Sequence, residues 1–130
     1  MPEPSLEQDR VARQIVDSAC AVHTALGPGL LESVYEQCLS HELGLRGLIV
    51  RRQVGLPVTY KGIVLDAGFR LDLLVEDMVI VEIKAVETLL PIHQAQLLTY
   101  LKLSGLQLGL LINFNVTLIK NGIRRIVRTS

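Results

Sequence analysis

The chain has 130 residues, of which 49% are hydrophobic and 20% charged, and its 13 basic and 13 acidic residues give a net charge of zero. This composition excludes a disordered, collagen-like or disulfide-rich chain and favours one globular domain over residues 1–130. The balanced charge argues against a protein built mainly to coat nucleic acid, although a local basic groove is compatible with it. Because the sequence shows no secretory signal and no transmembrane helix, we expect a cytoplasmic protein in which Cys20 and Cys38 are buried thiols.

Two helices are predicted in the first third of the chain. Apolar residues at steps of three and four predict an amphipathic helix over residues 5–26. The segment Gly27-Pro28-Gly29 then interrupts the chain, and we expect Gly29 to adopt backbone angles that favour glycine. A second helix is expected over residues 30–43, because glycines follow it closely.

The rest of the chain predicts strands around one further helix. Thr88 is the expected cap of this third helix, which has Pro91 in its first turn and ends near Leu103. Asn121-Gly122 is a strong hairpin signal between two strand-like runs. The predicted strands are 48–54, 57–60, 63–66, 69–75, 79–85, 108–113, 116–119 and 123–127. This order is typical of an α/β or α+β sandwich around a mixed sheet.

The runs 71–75 and 79–83 each carry apolar residues at alternate positions, which predicts a hairpin with a three-residue connection over 76–78. We expect Asp77 or Met78 to absorb the strain of the turn. A slip of one residue would turn one strand over, so the shared apolar face sets the register. The predicted pairs are Val75–Val79, Leu73–Val81 and Leu71–Ile83.

The same register brings two carboxylates and a lysine onto one face of the hairpin. Asp72 lies opposite Glu82, and Arg70 lies opposite Lys84. Like charges directly opposite each other destabilise a sheet, and a hard cation such as Mg²⁺ between them removes the repulsion. Lys84 could then orient an attacking water or stabilise developing charge. A surface Glu82–Lys84 pair with an unrelated Asp72 explains the hairpin equally well.

The spacing of these residues resembles the active-site signature of the PD-(D/E)xK nuclease superfamily. Asp72 is followed by nine residues and then Glu82-Ile83-Lys84, with Leu71 in the place of the usual proline. Residues 29–35, Gly-Leu-Leu-Glu-Ser-Val-Tyr, resemble the motif of the GxxExxY protein family within that superfamily. The resemblance covers about residues 8–128. It implies an α/β fold with a restriction-endonuclease-like αβββαβ core, a mixed sheet flanked by helices, and an extra C-terminal hairpin.

The resemblance also implies a function, namely metal-dependent hydrolysis of phosphodiester bonds in nucleic acid, with DNA as the first expectation. Asp72, Glu82 and the main-chain carbonyl of Ile83 would hold Mg²⁺ or Mn²⁺. Lys84 would position the attacking water. The other catalytic residues that the resemblance implies are Glu32, Gln96 and Tyr100.

Several other polar residues have structural explanations beside functional ones. His93 shares a helical face with Gln96 and Tyr100, yet we expect it to be a solvated residue rather than a ligand. Tyr35, one turn after Glu32, is expected to pack rather than to react. The arginines Arg51, Arg52, Arg124 and Arg125 could contact a phosphate backbone, or they could line solvated sheet edges.

Two other kinds of function fit the same sequence. A catalytically inactive module of this fold could bind nucleic acid or protein within a larger complex, because a fold does not establish an activity. A structural or interaction protein, in which the acidic pair is incidental, would use the abundant leucines as apolar surface and could form a homodimer. No membrane partner is expected.

Overall fold

The structure is a computed structural model that describes residues 3–129. Its helices are α1 (Leu6–Leu26), α2 (Glu32–Leu45) and α3 (Pro91–Ser104). Its strands are β1 (Val50–Gly55), β2 (Val58–Tyr60), β3 (Ile63–Leu65), β4 (Arg70–Val75), β5 (Val79–Lys84), β6 (Leu108–Asn113) and β7 (Ile123–Val127). The three predicted helices are therefore present, and β6 coincides with its predicted range. Within the described residues, no helix is long and apolar enough to cross a bilayer.

Five of the strands form a mixed sheet in the order β1-β4-β5-β6-β7. Strands β5 and β6 are parallel, and the other neighbours are antiparallel. A parallel pair needs a long crossover connection, which α3 supplies between β5 and β6. Strands β2 and β3 form a separate two-stranded sheet. The order α2, β1, β4, β5, α3, β6 confirms the predicted α/β fold with an αβββαβ core and flanking helices.

The two faces of the sheet pack against different helices. One apolar cluster joins α1 and α2 to the sheet through residues such as Ile15, Leu39 and Val81. The second cluster joins α3 to the other face through residues such as Leu97, Ile80 and Leu111. Helices on both faces explain why β5 and β6 are almost entirely buried. The two cysteines are free and half-buried, so they are less enclosed than predicted.

The predicted C-terminal hairpin around Asn121-Gly122 is wrong. Residues 116–118 bend, and a short 3₁₀ helix over Ile119–Gly122 leads into β7, which pairs with β6 instead. The expected type I′ turn requires positive φ at both central residues, and neither Asn121 nor Gly122 has it. Glycine is required at position 122 for a steric reason instead, because a Cβ there would collide with the carbonyl oxygen of Asn113.

The predicted cap of α3 at Thr88 is also wrong. The helix begins at Pro91, and Leu90 occupies the N-cap position. The side chain of His93 turns back, and its Nδ1 accepts a hydrogen bond from the Leu90 N–H at 3.0 Å. His93 therefore satisfies a main-chain donor at the start of the helix.

Tyr35 holds the segment between α1 and α2 in place. Its hydroxyl donates to the Gly27 carbonyl at 2.6 Å and accepts from the Leu30 N–H at 3.1 Å. Its ring stacks on Phe114, with 4.6 Å between ring centroids. Gly29 has a φ of 97°, as its position in the sequence predicted. These contacts explain the spacing of the Gly-x-x-Glu-x-x-Tyr motif and place Glu32 at the first residue of α2.

We expect Tyr35→Phe to lower the free energy of unfolding by about 1–3 kcal/mol, because the ring stack survives while both hydrogen bonds are lost. Urea denaturation followed by circular dichroism measures this change. Tyr60→Phe is the matched control, since Tyr60 is exposed and should tolerate the loss of its hydroxyl. Equal stability of Tyr35→Phe and the wild type would contradict a role for the hydroxyl in holding this segment.

Candidate active site

The register of β4 and β5 follows the prediction over the inner part of the hairpin. Val75 pairs with Val79 and Leu73 pairs with Val81. The connection strains the backbone at Glu76 and Asp77, whose φ angles are 54° and 53°. The prediction of strain at Asp77 is confirmed. The acidic pair, Asp72 and Glu82, follows immediately after the last regular pair, Leu73–Val81.

The main-chain pairing of β4 and β5 stops at the acidic pair, where side-chain carboxylates, in place of main-chain carbonyls, accept hydrogen bonds from main-chain amides. Glu82 Oε2 accepts from the Asp72 N–H at 2.9 Å. Asp72 Oδ2 accepts from the Ile83 N–H at 2.8 Å. Each carboxylate is thus anchored to the main chain of the opposite strand. This exchange fixes the orientation of both side chains relative to the sheet.

The predicted pairing of Leu71 with Ile83 is wrong. Regular pairing ends at Leu73–Val81, and Leu71 belongs to the α3-side cluster while Ile83 belongs to the α1/α2-side cluster. The alternation of faces along β4 is therefore broken between Leu71 and Leu73. The physical reason is that the carboxylates replace main-chain acceptors at this point, which lets the strand leave the regular ladder.

Burial and mutual repulsion hold the acidic pair in an electrostatically costly state. Burial, reinforced by the charge of Asp72, raises the pKa of Glu82 to about 8. Burial also raises the pKa of Asp72; the Ile83 amide opposes this shift, and the charge of Glu36 adds to it. Lys84 lowers both pKa values, so its ammonium group acts on both carboxylates. The lysine compensates only part of the negative charge.

The donor set of the acidic pair fits a hard divalent cation. One oxygen of each carboxylate is used by a main-chain amide, and coordination would use the other two, Glu82 Oε1 and Asp72 Oδ1, of which Asp72 Oδ1 lies 3.5 Å from Gln53 Nε2. Mg²⁺ is commonly held by one or two carboxylates together with water and substrate phosphate. Among residues 3–129, however, no three His, Cys, Asp or Glu side chains are grouped closely enough to hold a metal by themselves. A cation here would need ligands from water, the main chain or substrate.

The other predicted site residues lie at different depths around the pair. Ile83 lies between Glu82 and Lys84 with its side chain in the core, and coordination by its carbonyl stays a prediction. Glu32 is exposed at the start of α2, and its charge contributes to raising the pKa of both site carboxylates.

The two predicted residues on α3 differ in their surroundings. Tyr100 is buried, and its pKa is raised by burial and by the charges of Glu82 and Asp72. Gln96 is exposed one helical turn earlier. Both line a groove of about 420 Å³ that also contains Phe69. The structure therefore groups Tyr100 with Gln96 in one groove, and neither Asp72 nor Glu82 lines that groove.

Sequence reasoning missed Glu36. Its carboxylate is 8% exposed and accepts from Arg52 Nη2 at 3.0 Å and from Gln53 Nε2 at 2.7 Å. Glu36 lies four residues after Glu32, among the buried residues of α2. An unpaired glutamate is rarely buried, so a charge on an otherwise apolar helix face was the signal that could have identified it.

Most of the candidate phosphate-binding arginines are engaged within the chain. Arg51 pairs with Asp77 at 2.6 Å, Arg52 with Glu36 at 3.0 Å, and Arg125 with Asp9 at 2.6 Å. Arg124 is exposed and donates to the main-chain carbonyls of Asn121 and Ile123. Exposed pairs contribute little stability and can be exchanged for phosphate contacts. Arg124 is not paired with any carboxylate in the described part of the chain, so it could contact a phosphate without breaking an ion pair.

Comparison with known proteins gives one family. The sequence model described as PD-(D/E)XK nuclease superfamily matches residues 9–126. No curated protein and no solved structure matches the chain. The match confirms the superfamily that the motif indicated, while the GxxExxY branch stays a prediction.

Proposed function

Because the chain belongs to the PD-(D/E)XK nuclease superfamily, we propose that it hydrolyses phosphodiester bonds of nucleic acid, DNA in the first instance, with the help of a divalent metal ion. The observation that supports this most directly is the anchored acidic pair Asp72–Glu82 with Lys84 acting on both carboxylates. The buried Glu82 beside the half-buried Asp72 costs stability when no cation lies between them, which makes a purely structural role unfavourable.

In the proposed reaction, Asp72, Glu82 and the Ile83 carbonyl would hold Mg²⁺ or Mn²⁺. When bound, such an ion lowers the pKa of a coordinated water and neutralises charge on the phosphate. The Lys84 ammonium group orients the water for attack and stabilises the negative charge that develops on the phosphoryl oxygens. Glu32 and Tyr100 would complete the site through hydrogen bonds to water, and Gln96 would contact substrate in the groove beside Tyr100.

The proposal is tested by calorimetric titration of Mn²⁺ into the wild type and into the double variant Asp72→Asn/Glu82→Gln. We expect binding by the wild type alone, because the amides keep the shape of the carboxylates and remove their charge. Arg51→Ala provides a matched control, since it removes an exposed ion pair on β1 and leaves the acidic pair intact. Equal binding by the double variant would contradict a carboxylate metal site, provided that circular dichroism shows all three proteins folded.

A catalytically inactive binding module of the same fold is the second candidate. The observation that favours it is that Glu32 does not join the acidic pair in a three-ligand cluster among the described residues. Nuclease activity on single-stranded and duplex DNA and RNA separates the two candidates once Mn²⁺ binding is established. Binding of both metal and nucleic acid without any cleavage would favour the inactive module.

We also propose that two copies of the chain associate through the sheet formed by β2 and β3. Ile63, Val64 and Leu65 are 57%, 68% and 50% exposed, and together they form an apolar strand with no cover in the described structure. The unpaired N–H and C=O groups of an edge strand can serve as a template for pairing with another chain. Sedimentation of the wild type should then show a dimer that Val64→Lys converts to a monomer. A monomeric wild type would contradict this proposal and leave the nuclease proposal unaffected.

A further inference from the structure

Gln53 has an unusual backbone conformation beside the acidic pair. It lies in the middle of β1 with a φ of 51°, which side chains other than glycine rarely adopt. The regular pairing of β1 with β4 includes Arg52–Leu73 and Val54–Leu71 but omits the position between them, where Gln53 would face Asp72. Strain of this kind persists only where the surrounding structure holds it, and it is concentrated at functional sites.

The side chain of Gln53 joins two carboxylates. Its Nε2 donates to Glu36 Oε1 at 2.7 Å and lies 3.5 Å from Asp72 Oδ1, which is the long end of hydrogen bonding. Both neighbours are acceptors, so the amide must present its NH₂ group to them. Asp72 Oδ1 is the oxygen that the Ile83 amide leaves free. The amide therefore faces the same oxygen that a metal ion would use.

Glu36 is itself held from the opposite side. Arg52 donates to its Oε2 through Nε and Nη2 at 3.2 and 3.0 Å. A buried carboxylate with a guanidinium on one oxygen and an amide on the other has a defined orientation. The chain of contacts thus runs from Arg52 through Glu36 and Gln53 to Asp72. It connects the core-facing side of α2 to the acidic pair across β1.

We propose that Gln53 is a positioning residue for Asp72, held in its strained conformation by Glu36, and that it orients the carboxylate for a divalent cation. The inference rests on the metal site of the proposed function. The amide is uncharged, so it limits the rotation of the Asp72 carboxylate without competing with a cation for negative charge. The Ile83 amide on β5 and the Gln53 amide on β1 hold the two oxygens from opposite strands.

The first test follows the orientation of Asp72 without any metal. The Ile83 amide is protected by its hydrogen bond to Asp72 Oδ2, and Val81, which pairs with Leu73, reports on the same strand away from the site. In Gln53→Gly, which tolerates the positive φ, we expect hydrogen exchange at Ile83 to rise relative to Val81 by about three- to tenfold. Arg51→Ala on the same strand should leave this ratio unchanged.

The second test uses Mn²⁺ titration of the same variants. Loss of a residue that hydrogen-bonds to a metal ligand commonly weakens metal affinity by about 10–100-fold, and we expect about tenfold weaker binding in Gln53→Gly. Glu36→Gln should weaken binding as well. In the Glu36→Gln background, Gln53→Gly should cost less affinity than it does in the wild type, because Glu36 holds the Gln53 amide in addition to acting on Asp72 through its charge.

The outcomes separate this inference from the nuclease proposal. An unchanged Ile83-to-Val81 exchange ratio in Gln53→Gly overturns the positioning role, whatever the metal does. Unchanged Mn²⁺ affinity in Gln53→Gly, or additive effects of the two substitutions, also overturns it. If the wild type binds no Mn²⁺, the metal site of the proposed function fails. The exchange ratio then still decides whether Gln53 positions Asp72.

Discussion

Glu82→Gln is expected to make the metal-free protein more stable than the wild type at pH 8 and to have a much smaller effect at pH 5. Burial and the charge of Asp72 raise the pKa of Glu82 to about 8, so ionisation of this group opposes folding. Glutamine has the same shape, can still accept from the Asp72 N–H and never ionises. The expected gain at pH 8 is on the order of 4 kcal/mol, since each unit of pKa shift corresponds to about 1.4 kcal/mol and the pKa of Glu82 rises from 4.5 to about 8.

The sign follows from proton binding in the two states. Between the ordinary pKa of glutamate, 4.5, and the folded value of about 8, the folded protein binds more protons at Glu82 than the unfolded chain does. The free energy of unfolding therefore falls as the pH rises through this window. The raised pKa of Asp72 acts in the same direction. Above about pH 8 the contribution of Glu82 levels off, because the group is ionised in both states.

Chemical denaturation in the presence of a chelator, at pH 5 and pH 8, measures this effect. The measured quantity is the difference in the free energy of unfolding between Glu82→Gln and the wild type. If this difference were the same at pH 5 and pH 8, the carboxylate of Glu82 would be better compensated than the structure indicates. Adding Mn²⁺ at pH 8 should stabilise the wild type and leave Glu82→Gln nearly unchanged, because a cation binds the ionised pair in the folded state.

Lys84→Ala is expected to lower the rate constant for cleavage by about 10²–10³-fold, since removal of one donor to the charge that develops in a transition state typically costs this much. Mn²⁺ affinity should change far less, because Lys84 is not among the proposed ligands. The measurement is single-turnover cleavage of a labelled DNA substrate identified by the activity screen. A large loss of rate with an intact metal site would distinguish chemistry from binding.

Lys102→Ala is the matched control for this experiment. Lys102 is exposed in the last turn of α3. Its substitution also removes one positive charge, but at a position outside the acidic pair and its strand. Cleavage by Lys84→Ala at the wild-type rate would contradict a catalytic role for the lysine. Unfolding of Lys84→Ala would instead indicate that the lysine serves mainly to offset the buried carboxylates, a role that thermal denaturation would reveal.

The sequence predicted the helices, most of the strands and the inner register of β4 and β5, because these depend on local periodicity. Alternation of apolar residues determines which face of a strand is buried, and a slip of one residue would reverse it. The same alternation identified Asp72 and Glu82 as facing residues. The motif around Glu32 and Tyr35 likewise depends on short spacings, and the structure explains it by the hydrogen bonds of a single hydroxyl.

Only the tertiary structure revealed the features that arise from contacts distant in sequence. Gly122 reads as a turn residue, but the close approach of the Asn113 carbonyl determines its conformation. Glu36 reads as a surface charge, but contacts with Arg52 and Gln53 from β1 hold it in the interior. The raised pKa of Glu82 depends on burial by neighbouring elements, which residue order alone does not specify. Local patterns thus determined where the carboxylates lie along the chain, whereas packing decided how they are held and charged.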